Sequence, residues 1–303
     1  MGHWLRRLGY AAGGLVGLVM LLVAGVYGFS SVGLGRSFAL PVRESPALPT
    51  DPASLARGEH LVRAIAKCGD CHGADVGGRL FIDAGPMIGR VYAPNLTGGR
   101  GGVTAAFTAQ DWERAIRHGV APDGRALKIM PSNELAGLTD SDLGAVVAYV
   151  RSLPPVDRTI PATTLGPIAR VLYLAGQFPV LPAEAIDHAA PHPRDMTPAV
   201  TRAYGRYLAD VGGCTGCHGP GLSGGHVAGT PPDFPAAQNI SPAGIGSWTE
   251  EDFFRALRTG HRPDGTLIST FMPWPTAGQM SDDEIRAVWL FVKSVPPRKA
   301  GTR

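Results

Sequence analysis

All four cysteines of the chain lie in two copies of one pentapeptide, Cys68-Gly69-Asp70-Cys71-His72 and Cys214-Thr215-Gly216-Cys217-His218. Cysteines separated by two residues fall on one face of a helical turn. Two such thiols can form thioethers to the two vinyl groups of one haem, while the adjoining histidine turns its imidazole to the iron. C-x-x-C-H is the attachment signature of haem c. A zinc ribbon needs four ligands per site, and no second cysteine pair accompanies either motif. A thioredoxin-type redox pair belongs in a βαβ setting, which the surrounding sequence lacks. The expectation is two covalently bound haem c groups, with His72 and His218 as iron ligands.

A haem iron held by one histidine has a sixth position to fill. Met130 and Met272 each precede proline, lie 142 residues apart, and follow their motifs by similar distances. They are the candidate distal ligands. His/Met ligation raises the reduction potential and leaves no open iron position, which favours electron transfer over catalysis. Met87 and Met280 have no such counterpart, and Met280 reads as core.

The elements that must carry these residues are repeated as well. Thr108-x-x-Asp111 matches Thr249-x-x-Asp252, and Thr139-x-x-Asp142 matches Ser281-x-x-Glu284. Each has the form of a helix-opening capping box. In the last helix Leu143, Val146, Val147, Val150 and Leu153 form one apolar stripe. Its twin carries Ile285, Val288, Trp289, Val292 and Val295, and Pro-Pro stops both. Residues before the cysteines, about 53–67 and 199–213, show helical spacing. Between each motif and the next helix lies a segment rich in Gly, Pro and Asn, long for a free loop and suited to wrapping a bulky ligand. Aromatics make up only 7% of the chain, so something else must help fill the interior.

Leu8–Phe29 is 22 residues without a charge, preceded by Arg6 and Arg7. At 1.5 Å per residue it reaches about 33 Å, enough to cross a hydrocarbon core. The basic flank predicts residues 1–7 in the cytoplasm, a transmembrane anchor at 8–29, and export of the remainder. A cleaved signal peptide is the competing reading, but the run exceeds a usual h-region and no A-x-A site follows. The expected organisation continues with a linker at 30–50, domain 1 at 51–155, a proline-rich linker at 156–198, and domain 2 at 199–299. The formal charge is +3, and residues 50–155 carry 11 basic and 11 acidic side chains. That balance argues against nucleic-acid binding.

With Ala93-Pro-Asn95-Leu-Thr97, Ala237-Gln-Asn239-Ile-Ser241, Gly244-Ile-Gly246-Ser-Trp248 and the Met-Pro…Pro-Pro endings, residues 50–299 resemble class I cytochrome c domains. More narrowly, they resemble the cytochrome c subunits of membrane-bound periplasmic dehydrogenases of the alcohol and gluconate type. The resemblance implies an all-α fold of two tandem domains, each wrapping a haem, and a flavin- or quinone-cofactor enzyme as electron source. That family usually has three haem units; here there are two, and 156–198 contains no cysteine. The expected function is a membrane-anchored dihaem carrier in the periplasm of a bacterial inner membrane. It would link a dehydrogenase or respiratory-complex partner to a soluble cytochrome or cupredoxin. A haem subunit of a terminal oxidase shares this layout, and a dihaem peroxidase would need an open iron.

Other residues carry weaker expectations. Arg117 and Arg258 match between copies and suit either haem propionates or a solvated helix face. Trp248 suits a propionate or plain packing. Asn95-x-Thr97 and Asn239-x-Ser241 read as turns within the wrapping segment. His60, His118, His188, His192, His226 and His261, unmatched between copies, read as ordinary surface residues. Ile168–Phe178 reads as a short apolar helix that docks between the domains or on a partner.

Overall fold

A computed structural model describes residues 2–40, 45–231 and 233–302. Met1 of the N-terminal segment and residues 41–44 of the 30–50 linker therefore lie outside the described residues. The chain begins with one long helix, α1 (Gly2–Leu34), apolar and almost wholly exposed.

The first repeat opens with α2 (Pro52–His60), whose start is set by Pro52 and by the Asp51 carboxylate accepting from the Ser54 N–H. A π-turn, Leu61–Ile65, leads to α3 (Cys68–His72). Next come β1 (Arg79–Asp83), α4 (Gly85–Ile88) and β2 (Gly89–Ala93), then α5 (Ala109–His118), α6 (Ser132–Leu135) and α7 (Asp140–Ser152). The connecting segment holds β3 (Thr164–Leu165) and α8 (Pro167–Leu174). The second repeat runs through α9 (Arg202–Val211), α10 (Cys214–His218), α11 (Pro242–Ile245), α12 (Glu250–Thr259), α13 (Trp274–Ala277) and α14 (Asp282–Ser294).

The capping boxes form as the sequence predicts at Thr108/Asp111, Thr249/Asp252 and Ser281/Glu284. At Thr139 only half of the box forms, because the Asp142 carboxylate is drawn instead to Arg57 and Tyr207. The apolar stripes of α7 and α14 are buried, with Leu143, Val147 and Ile285 at 0% exposure. Met280 is buried too.

In each repeat the helix before the motif crosses the last helix, α2 on α7 and α9 on α14. Both crossings are made at a glycine, Gly58 against the backbone of Ala145 and Gly205 against that of Ala287. No larger residue lets the two backbones come so close. One continuous apolar core then runs through both repeats, from Leu61, Ile65 and Trp112 to Leu208, Ile285 and Trp289.

The fold is mostly helical, with one addition inside the first wrapping segment. β1, β2 and β3 form a small antiparallel sheet in that order, with a bulge between Leu80 and Ile82. The third strand comes from the connecting segment, a long-range pairing that local periodicity does not reveal. That segment also departs from expectation in its destination. Its helix ends at Leu174 rather than Phe178 and packs on α1 and α4 instead of between the two repeats. Arg170 donates to the hydroxyls of Ser30 and Ser31 and lies 4.5 Å over the ring of Tyr27. Beyond α1, Ser37 bridges to Arg125, and backbone bonds join Phe38 to Gly124 and Ala126 to Arg36.

Candidate functional site

Each Cys-x-x-Cys-His helix is preceded by a residue in the left-handed region, Lys67 at φ 53° and Gly213 at φ 75°. The chain thus turns sharply just before the first cysteine. A second left-handed position recurs beyond the motif, at Val76 (φ 46°) and Leu222 (φ 56°), both buried. Apolar side chains rarely adopt this conformation. Its recurrence at the same place in both repeats shows that the loop geometry there outweighs the local backbone preference.

The two histidines are held alike. His72 Nδ1 donates to the carbonyl of Pro94 at 2.8 Å, and His218 Nδ1 to that of Gln238 at 2.7 Å. These bonds place the proton on Nδ1 and the lone pair on Nε2, the tautomer an iron ligand needs. Burial pushes the His72 pKa down, the Pro94 bond opposing it, which favours the neutral ring. None of the four cysteines forms a disulfide. Burial also pushes Cys68 up to about 12 and Cys71 up to about 11. A reactive redox pair has the opposite property, a depressed thiol pKa. Half-buried cysteines beside a correctly presented imidazole fit covalent haem attachment at both motifs. Met130 and Met272 are half-buried against the core, as are Cys68 and Cys214.

The wrapping segment is latched to the end of each repeat by the two asparagines. Asn95 Oδ1 accepts from the Thr97 N–H and hydroxyl, while its Nδ2 donates to the Val156 carbonyl at 2.6 Å. Asn239 repeats this with Ser241 and with the Arg298 carbonyl at 2.8 Å. They are turn residues, as the sequence suggests.

The matched arginines have a role that sequence reasoning missed. Arg117 is 1% exposed; it donates to the Leu138 carbonyl and pairs with Asp140 at 2.8 Å. Arg258 bonds the Gly278 carbonyl and pairs with Asp282 at 2.6 Å. Both guanidiniums therefore pin the start of the last helix of their repeat, α7 or α14, and Arg117 is no solvated surface residue. His118 is likewise buried, at 2% exposure, and His60 is half-buried in an ion cluster, so neither is the surface residue expected.

That cluster joins the repeats. Arg57 makes two bonds to Asp142, at 2.9 and 3.0 Å, and one to Glu284 at 3.0 Å. His60 Nε2 lies 2.6 Å from Glu284, and the Tyr207 hydroxyl donates to Asp142 at 2.6 Å. The last two contacts are mirror images: His60 and Tyr207 occupy equivalent places in α2 and α9, and each reaches the opposite repeat's carboxylate. The same pseudo-twofold relation brings the haem-attachment helices to the interface. Thr276 of α13 donates to Asp70 of α3 at 3.0 Å, and Glu134 of α6 lies against Gly216 of α10 and Gly213 just before it. Lys67 bonds the Gly212 carbonyl.

Repeated Cys-x-x-Cys-His helices, presented histidines and wrapping loops define a dihaem c-type cytochrome. Residues 55–154 and 203–296 each match the cytochrome c family, and the chain belongs to it. It is 29% identical over 280 residues to the fructose dehydrogenase cytochrome subunit of Gluconobacter japonicus, covering 86% of this chain and 56% of that protein. It is 31% identical over 294 residues to the gluconate 2-dehydrogenase cytochrome c subunit of Pantoea cypripedii, covering 84% and 63%. The chain thus spans little more than half the length of these relatives. A diheme cytochrome c-type protein of Cereibacter sphaeroides is 26% identical over 309 residues, covering 92% of this chain and 97% of that one. Among solved structures, cytochrome c4 of Pseudomonas stutzeri is 18% identical, with 80% of this chain and 98% of that chain covered and a TM-score of 0.23.

Proposed function

We propose that this chain is a membrane-anchored electron carrier of the periplasmic face, taking electrons from a dehydrogenase subunit and delivering them to a soluble cytochrome or cupredoxin. The observation that carries this reading is the placement of both attachment helices at one pseudo-symmetric interface, α3 against α13 and α10 against α6. Cys68, Cys71, Cys214 and Cys217 would hold the two haems covalently, and His72 with Met130, and His218 with Met272, would bind the two irons. A haem so ligated supplies a one-electron iron couple with no vacant coordination position.

The protein's part is to hold each imidazole by its Nδ1 bond, to seal the wrapping segment through Asn95 and Asn239, and to keep the repeats in fixed register. Anchoring is supported by α1 and by its neighbour α8. Alongside the exposed apolar surface of α1, α8 leaves Ile168, Val171, Leu172 and Leu174 substantially exposed. An apolar helix face continuous with a spanning helix suits the membrane interface. The names of the relatives supply the partner class.

Two results check this. Met130→Ala and Met272→Ala are each expected to abolish the near-infrared sulfur-to-iron absorption of one haem and lower the potential of that haem alone. An unchanged spectrum in both would remove the methionines from the site. Purification of the tagged chain in mild detergent is expected to recover a flavin- or quinone-dependent dehydrogenase subunit whose substrate reduces the haems. Recovery of terminal-oxidase subunits alone would reject the dehydrogenase assignment.

A further inference from the structure

Away from the haem-attachment motifs, the last turn of α5 meets the connecting segment at a cluster of four titratable side chains. Ligand atoms of Glu113, His118 and His192 all lie within 4.8 Å of one another. Glu113 Oε1 is 3.7 Å from His118 Nε2. Tetrahedral zinc, with bonds of about 2.0–2.1 Å, sets neighbouring donor atoms about 3.3 Å apart, so small side-chain rotations complete the set. Glu113 and His118 are 3% and 2% exposed, and His192 is half-buried. His188 stands behind the group: its Nδ1 is 3.0 Å from His118 Nδ1, and its ring meets Phe38 edge-on at 5.3 Å.

We infer that Glu113, His118 and His192 form a binding site for a divalent first-row cation, with zinc the best match. Two imidazoles and one carboxylate are borderline donors that suit zinc and are poor for calcium or magnesium. The bond between His118 and His188 leaves His118 Nε2 facing Glu113, and a second partner on the far ring nitrogen is what a metal-ligating histidine ordinarily has. Arg117, 3.6 Å from Glu113, is matched by Asp140 and the Leu138 carbonyl, which leaves the Glu113 charge to offset a cation. His188 and His192 belong to the connecting segment. A bound metal would therefore clamp that segment onto the first repeat, independently of the haems and of the electron-carrier reading.

The test uses the detergent-solubilised holoprotein, stripped with EDTA, dialysed against zinc and analysed for zinc and iron. The covalent haems remain throughout. The expected result is one zinc for every two irons, with a thermal midpoint that rises with zinc. His192→Ala and Glu113→Gln should each weaken zinc binding by about tenfold or more, and neither should show the zinc-dependent rise in midpoint. His188→Ala should weaken affinity while keeping the stoichiometry. His261→Ala, an exposed control, should bind as the native protein does. Absence of stoichiometric zinc in the native protein, or undiminished binding in a folded His192→Ala or Glu113→Gln variant, overturns the inference.

Discussion

Arg57→Met is expected to destabilise the holoprotein by about 3–5 kcal/mol, the usual cost of stripping one partner from a buried ion pair. The guanidinium bridges Asp142 of the first repeat and Glu284 of the second, carboxylates only 7% and 5% exposed. Without it two buried negative charges share a space supported by the hydroxyls of Tyr204 and Tyr207, by His60 and by the Ser281 N–H. Removing those charges as well, in Arg57→Met combined with Asp142→Asn and Glu284→Gln, should recover much of the loss. Denaturant midpoints of the three proteins would show this. If the triple variant were no more stable than the single one, charge would not explain the effect.

The same cluster has an acid limit. Burial pushes the Glu284 carboxyl upward, but hydrogen bonds from His60 and from the Ser281 N–H, with the Arg57 charge, outweigh it and bring the pKa down to about 2 from 4.5. A carboxylate with a depressed folded-state pKa contributes stability that is complete above its unfolded value. That contribution is therefore present above about pH 4.5 and fades as the pH falls toward about 2. Glu284→Gln should flatten this part of the acid-unfolding curve.

Gly205→Ala is the second substitution expected to have a large effect. A Cβ at this position would fall within the van der Waals radius of the Ala287 carbonyl oxygen, and backbone cannot swing aside as a side-chain tip can. Parting α9 from α14 should cost about 1–3 kcal/mol or more and reduce haem incorporation in the second repeat. Gly58→Ala should do the same to the first repeat through Ala145. At Gly137 an added Cβ meets only Val211, at 3.9 Å, so alanine there should be near neutral. Thermal midpoints and haem-to-protein ratios of the three variants distinguish a specific clash from a general intolerance of glycine replacement.

Features encoded within a few residues were legible in the sequence. The attachment motifs, the helix caps at Thr108, Thr249 and Ser281, and the apolar stripes of the last helices each follow from local spacing. The Asn95 and Asn239 turns emerged from comparing one repeat with the other. What escaped were contacts between segments far apart in the chain. Nothing near Gly58 or Gly205 announces which backbone will cross there. Arg117 looks like any helix-face arginine until Leu138 and Asp140 close over it. His118 and His60 read as surface residues because their partners, His188 and Glu284, lie 70 and 224 residues away. The destination of α8 was hidden for the same reason, since its apolar residues fit equally well against several surfaces.

The stitching of residues 30–38 onto the first repeat and α8 has a mechanical consequence. A redox head on a slack leash can sweep a wide arc and visit several docking stations. Here Arg170 grips Ser30 and Ser31 at the root of the stalk, and the next few residues are sewn by backbone bonds to the loop at 121–126. In the anchored arrangement proposed above, such a head would turn with its stalk and keep a fixed height above the bilayer, so partners would have to come to it by sliding in the membrane plane or arriving from the aqueous side.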